Sequence, residues 1–102
     1  MESILSTFNE GSSLARELKN KYIFYIIPML NPDGVVAGNY RTSLFGKDLN
    51  RTYNYQRRYA FPETYNLMQF AKKLKAKYKK SFCLYIDIHG HSNKQNSFIY
   101  GP

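Results

Sequence analysis

Tryptophan is absent from the chain, and cysteine occurs once, at Cys83. A single cysteine excludes a disulfide framework within the chain and also a cysteine-built zinc knuckle. It fits a reducing compartment. Its place inside an apolar run reads as core, because free cysteine is among the most buried residue types. No stretch approaches the roughly 18 apolar residues of a membrane span, and no signal peptide is visible at the start. Acidic residues are scarce, with 7 Asp and Glu against 15 Lys and Arg, and the net charge is +8. That excess favours acidic partners such as nucleic acid, an anionic membrane or an acidic protein, without choosing among them.

What the chain does have is aromatic mass, ten Tyr and seven Phe in 102 residues. That is enough for one small domain with a modest core, and it argues against whole-chain disorder. Helical spacing over Ile4 to Phe8 and Leu14 to Leu18, broken at residues 9–13, predicts a helix tail, a turn and a short helix capped by Ser12 or Ser13. Tyr22 to Leu30 is apolar on both faces and predicts a buried, parallel strand. Asn31-Pro32-Asp33-Gly34 then predicts a turn. Residues 35–59 carry no clean period, and a long irregular stretch of this kind is often functional. Pro62 opens a helix, whose apolar stripe is Leu67, Phe70, Ala71, Leu74 and Tyr78. Lys72, Lys73, Lys75, Lys77, Lys79 and Lys80 fall off that stripe and read as a solvated face. Phe82 to Ile88 predicts a second buried strand and Phe98 to Tyr100 a third. The fold class expected is α/β, part of a mixed, mainly parallel sheet with flanking helices. In such sheets ligands bind beyond the carboxyl ends of the strands, where the loops after Leu30 and Ile88 leave.

The residues with chemistry sit in those two loops. His89 follows a strand directly, and a neutral imidazole is a common zinc ligand. His89 and His91 at two-residue spacing suit a metal or ordinary hydrogen bonding. Arg41 and the pair Asn50-Arg51 offer planar guanidinium forks and an amide, which suit a carboxylate or a developing oxyanion. Surface ion pairs with Asp48 or Asp33 are the alternative. Asp87, between two isoleucines, needs partners of its own or orients a metal-binding histidine.

Five ordered motifs carry a resemblance: Ile27 to Val35 (IPMLNPDGV), Gly38 to Arg41 (GNYR), Asp48 to Arg51 (DLNR), Asp87 to Ser92 (DIHGHS) and Phe98 to Gly101 (FIYG). Together they resemble the cytosolic carboxypeptidases, a branch of the carboxypeptidase A/B-like zinc peptidases that includes enzymes trimming glutamates from tubulin. The resemblance implies that His89 is a zinc ligand, that Asn50 and Arg51 hold the substrate's terminal carboxylate, and that Arg41 polarises the scissile carbonyl. The implied cofactor is Zn and the implied reaction is zinc-assisted hydrolysis of C-terminal, chiefly glutamate, residues. Protein or peptide C-terminal tails are the expected partners, polyglutamylated tubulin among them, with no nucleic acid and no membrane. The expected location is cytoplasmic.

The departures from that family are equally specific. Its first two zinc ligands lie in a His-x-x-Glu motif, which the two histidines here do not supply, and its general-base glutamate has no counterpart. Residues 1–102 are therefore expected to be the central part of a catalytic domain, truncated at both ends, inactive and poorly soluble alone. A non-catalytic module that binds acidic tails through Arg41, Arg51 and the lysine face is the alternative reading. A zinc amidohydrolase of small N-acyl amino acids is disfavoured by the Asn-Pro-Asp-Gly-Val and His-Gly-His-Ser forms.

Overall fold

The computed structural model describes residues 6, 9, 11–55 and 57–101. Of the expected helix over residues 4–8, residues 4, 5, 7 and 8 lie outside that set. The first described helix, α1 (Ser13–Lys21), starts where its cap was expected. The Ser12 hydroxyl accepts from the Ala15 N–H at 3.1 Å, satisfying one of the N–H groups that a helix start leaves open. Lys19 and Lys21 lie in its last turn, the favourable end of the helix dipole for a cation.

The Asn-Pro-Asp-Gly segment winds further than a turn and forms a short helix, α2 (Pro32–Val36). Pro32 occupies the first position, where its missing N–H costs nothing, and the Asn31 side chain accepts from Gly34 N–H at 3.1 Å. Gly34 is required by that cap. A Cβ there would lie 2.2 Å from Asn31 Nδ2, closer than any side chain tolerates.

The irregular stretch that follows is tied by specific hydrogen bonds. The amides of Asn31 and Asn39 both donate to the Thr42 carbonyl, each at 3.2 Å. Thr42 pairs with Asp48 in a single antiparallel bridge, closed by Ser43 N–H to Lys47 O at 2.9 Å. A 3-10 turn over Leu49–Arg51 comes next. Leu49 and Phe61 are buried, and Phe61 is flanked by the rings of Phe45 and Tyr55 at 5.5 and 5.9 Å.

Helix α3 (Pro62–Tyr78) opens at Pro62 as expected. Its apolar stripe is only half covered, and its one fully buried residue is Thr64. The Thr52 hydroxyl donates to Leu49 O at 2.8 Å and meets the Thr64 hydroxyl at 2.9 Å, so two buried hydroxyls latch the loop onto α3. A 3-10 turn over Lys79–Ser81 ends the helix, with Lys79 at φ 49°, a conformation that glycine usually takes.

The expected mixed, mainly parallel sheet is not formed among the described residues, where the Thr42–Asp48 bridge is the pairing present. Tyr22 to Leu30 and Phe82 to Ile88 run without a ladder, and their apolar side chains face solvent: Ile23 is 68% and Leu84 72% exposed. A helix closes its hydrogen bonds within itself, but a strand needs a neighbour of matching register, and a doubly apolar strand needs both faces covered. Cys83 is likewise exposed, its thiol donating to Ser81 O at 3.2 Å, which corrects its expected place in a core. The chain exposes 9027 Å², against about 6,000 Å² for a compact monomer of this size. Its radius of gyration is 16.0 Å, against about 13 Å. No described helix is long and apolar enough to cross a membrane.

The hydroxyl latch gives a stability prediction. Thr52→Val removes the donor to Leu49 O and strands the buried Thr64 hydroxyl, an expected loss of about 1–3 kcal/mol. Thr64→Val keeps the Thr52–Leu49 bond and should cost less. Urea midpoints of the two variants measure the difference, and equal losses would show that the bond to Leu49 contributes nothing.

Candidate functional site

The loop between α2 and α3 is organised by one carboxylate. Asp48 accepts from Arg41 Nε at 2.7 Å through one oxygen and from the Asn50 backbone N–H at 2.9 Å through the other. The second bond caps the 3-10 turn that carries Asn50 and Arg51. Asp48 thus places three of the four residues read as a site from the sequence. The ion pair with Asp48 was the alternative reading of Arg41, and it is formed. It uses Nε alone, and the two Nη groups of Arg41 have no partner among the described residues. Arg41 is 56% exposed and Asp48 21%. Burial works against charge on Asp48. The Asn50 N–H and the guanidinium groups of Arg41 and Arg51 outweigh it and hold the carboxyl below its ordinary range.

Arg51 is exposed, its Nη1 donating to the Asn50 carbonyl at 3.3 Å, and the exposed Asn50 side chain has no partner among the described residues. This edge of the loop therefore offers unengaged N–H donors from two guanidinium groups and one amide. Such donors bind a planar carboxylate or an oxyanion well.

His89 lies in the segment after α3. Its Nδ1 is 3.5 Å from Asp87 Oδ1, and both side chains are open to solvent. Asp87 is thus not the buried carboxylate the sequence predicted, although it does stand beside the histidine. His91 behaves differently from His89. Its Nδ1 accepts from the backbone N–H groups of Asn93 and Lys94 at 3.2 and 3.0 Å, and its ring packs against Phe98 at 5.2 Å. That nitrogen is committed to a turn, whereas the Nδ1 of His89 stands beside Asp87.

No direct contact joins His89 to Arg41, Asn50 or Arg51 among the described residues. The two loops meet instead through Tyr53, which the sequence reading missed. Burial first, then the adjoining Tyr85 hydroxyl and the nearby Asp87 charge, raise the Tyr53 phenol far above its ordinary value of 10.0. Tyr53 stands two residues past Arg51, and Asp87 two before His89. A tyrosine following Asn-Arg-Thr carries no spacing signal, so only the meeting of the two segments reveals it. Thr52 and Thr64 escaped notice for the same reason.

The donor set is small for a metal. Among the described residues no three His, Cys, Asp or Glu side chains gather where they could share one ion. A catalytic zinc usually takes three protein ligands. His89 offers one, so these residues do not by themselves fit a zinc ion.

The family model for zinc carboxypeptidases matches residues 1–101. The chain belongs to the zinc carboxypeptidase family. It is 46% identical over 101 residues to cytosolic carboxypeptidase 3 of Mus musculus, covering 99% of this chain and 10% of that protein. It is 49% identical over 87 residues to cytosolic carboxypeptidase 2 of Danio rerio, covering 85% and 12%. With cytosolic carboxypeptidase 2 of Homo sapiens the identity is 42% over 101 residues, covering 99% and 11%. The chain spans about a tenth of the length of these curated relatives. No solved structure matches it. Membership in this family implies zinc and supports the family fold in general.

The Asp48 carboxylate makes a pH prediction. A carboxyl with a depressed folded pKa stabilises the fold above its unfolded value and loses that contribution as pH falls through the folded value. The Asp48 links to Arg41 and Asn50 should therefore hold at neutral and mildly acid pH and release only below the ordinary 3.8. NMR titration of the Asp48 carboxyl carbon and the Arg41 Nε–H should show both moving together in that range. An Arg41 signal that shifts at higher pH would remove Asp48 as its holder.

Proposed function

We propose that this chain contributes the substrate-anchoring part of a cytosolic zinc metallocarboxypeptidase. The observation that carries the reading is the Asp48-held loop, which presents Arg41, Asn50 and Arg51 on one edge within a chain of this family. Asn50 and Arg51 bind the terminal carboxylate of a peptide. Arg41, fixed through Nε, turns its Nη groups to the carbonyl oxygen of the last peptide bond, where negative charge grows as water adds. His89 donates one ligand to zinc, and the remaining ligands and the general base come from residues other than the two histidines here. Zinc, when bound, polarises the carbonyl and acidifies water.

The relatives named cytosolic carboxypeptidases support a cytosolic location and the tails of proteins as substrates. Within that class we propose acidic, glutamate-ending tails such as those of polyglutamylated tubulin, a reading that the +8 charge favours. Tyr22 to Leu30 and Phe82 to Ile88 are proposed to pair as strands of the family's sheet, which would cover the apolar side chains now in solvent. Residues 1–102 are accordingly the central part of the catalytic domain. Taken by themselves they bind zinc weakly and do not turn over. Stoichiometric zinc after dialysis, together with chelator-sensitive glutamate release from this chain alone, would overturn that statement.

The two arginine roles separate kinetically in an active enzyme that contains this segment. Arg41→Ala should lower kcat by about 100-fold, the usual loss for one oxyanion donor, with little change in KM. Arg51→Ala should chiefly raise KM for substrates with a free terminal carboxylate and leave amidated ones unaffected. An unchanged kcat for Arg41→Ala would remove it from the reaction.

A further inference from the structure

The catalytic reading leaves two acids unused. Asp33, one of the acids available to the loop arginines, pairs with none of them among the described residues. Glu63, in the first turn of α3, forms no ion pair there either. Both line one open cavity of about 200 Å³, bounded by α2, the bridged loop and the start of α3. Ser43 lines it with them, only 4% exposed and with its hydroxyl unpartnered among the described residues. The Oε2 of Glu63 is likewise buried without a partner. Phe45 and Pro62 supply apolar wall. Asp33 and Glu63 each lie in the first turn of a helix, where the dipole favours an anion. That effect is open to a carboxylate in solvent, and it explains neither the buried Oε2 nor the Ser43 hydroxyl. A buried polar oxygen is costly until it is hydrogen-bonded, and a buried charge until it is paired.

We propose that this cavity receives an arginine side chain carried by another polypeptide segment. Ionised carboxylates are acceptors only, and a serine hydroxyl can accept as well, so the occupant is a donor and a cation. A hard divalent ion takes about six to eight oxygen ligands, and no three His, Cys, Asp or Glu side chains gather for one among the described residues. The walls are in good part apolar, which suits a cation on a carbon stem. Size points the same way. Pockets for drug-sized ligands begin at about 300 Å³, and about 200 Å³ suits a single side chain. Of the two basic side chains, arginine matches better. Its guanidinium is planar and weakly hydrated and carries its N–H donors in a fixed fork. It can therefore serve two carboxylates and a hydroxyl at once, and stack on a ring. An ammonium is a compact, strongly hydrated point charge. The chain carries a net charge of +8, a field that repels cations in general, so selective uptake of one reports these side chains. Arg41, Asn50, Arg51 and His89 do not line the cavity, and the site stands apart from the proposed carboxypeptidase chemistry.

Binding tests the site without reference to catalysis. Nα-acetyl-arginine amide, a guanidinium probe without charged ends, is titrated into the purified chain while the carboxyl carbons of Asp33 and Glu63 are followed by NMR. Expected is a saturable shift of both signals, weakening as salt rises. The neutral analogue Nα-acetyl-citrulline amide should give none, and Nα-acetyl-lysine amide should bind more weakly. E63Q, followed at Asp33, and D33N, followed at Glu63, should each lose about tenfold in affinity, the usual loss for one hydrogen bond to a charged group. The two substitutions lie in different helices, so a disturbance of one helix leaves the other variant to decide. Absence of saturation with the arginine probe overturns the proposal, as does an equal response to the citrulline analogue. Undiminished affinity in both variants also overturns it. Equal binding of the lysine probe would show a site for any cation and remove the guanidinium assignment. Tighter saturable binding of calcium chloride at the same two carboxyls would replace the arginine by a metal ion.

Discussion

One carboxylate organises the part of the chain that has chemistry. Asp48 holds the Arg41 side chain with one oxygen and the start of the Asn50-Arg51 turn with the other. Without it, a half-exposed arginine and a three-residue 3-10 turn would have no reason to share an edge. A long charged side chain loses rotamer freedom when it is ordered, and this bond sets its direction. The bond leaves the Nη groups open, so the guanidinium is oriented without being used up. The hydroxyl pair of Thr52 and Thr64 completes the arrangement by tying the other end of the turn to α3.

Beyond that loop the chain is limited by what its strand-like segments lack. Tyr22 to Leu30 and Phe82 to Ile88 are built for a sheet interior, yet among the described residues neither has a neighbouring strand. Among the described residues, burial is confined to small patches around Ala15, Leu49 and Phe61, and much apolar surface stays in water. Each buried apolar side chain contributes about 1.5–3 kcal/mol, so the exposed isoleucines, leucines and tyrosines represent a large stabilisation not realised here. Their exposure also agrees with a segment that spans about a tenth of its relatives.

Charge is segregated along the chain as sharply as apolarity. The guanidinium groups that face the proposed substrate end lie in the loop between α2 and α3, each within reach of an acid or a carbonyl that directs it. The ammonium groups lie on α3, without acids to direct them. The first arrangement gives orientation and the second gives long-range attraction, which weakens with salt.

The sequence by itself determined the local features and the family. The Ser12 cap, the start of α3 at Pro62 and the off-stripe lysines follow from groups within a few residues of one another, which is also how a helix makes its hydrogen bonds. The ordered motifs from Ile27 to Gly101 were enough to name the zinc carboxypeptidases. The Asp48–Arg41 pair stood as one of two readings, because an arginine can meet an acid or a substrate and spacing does not say which. Only the tertiary structure decided that Arg41 meets Asp48 through Nε, with its Nη groups open among the described residues. It alone set Tyr53 beside Tyr85, gave His91 and His89 different partners, exposed Cys83 and left the expected strands unpaired among the described residues. Those outcomes depend on segments distant in the chain meeting or failing to meet, and no periodicity within either segment records that.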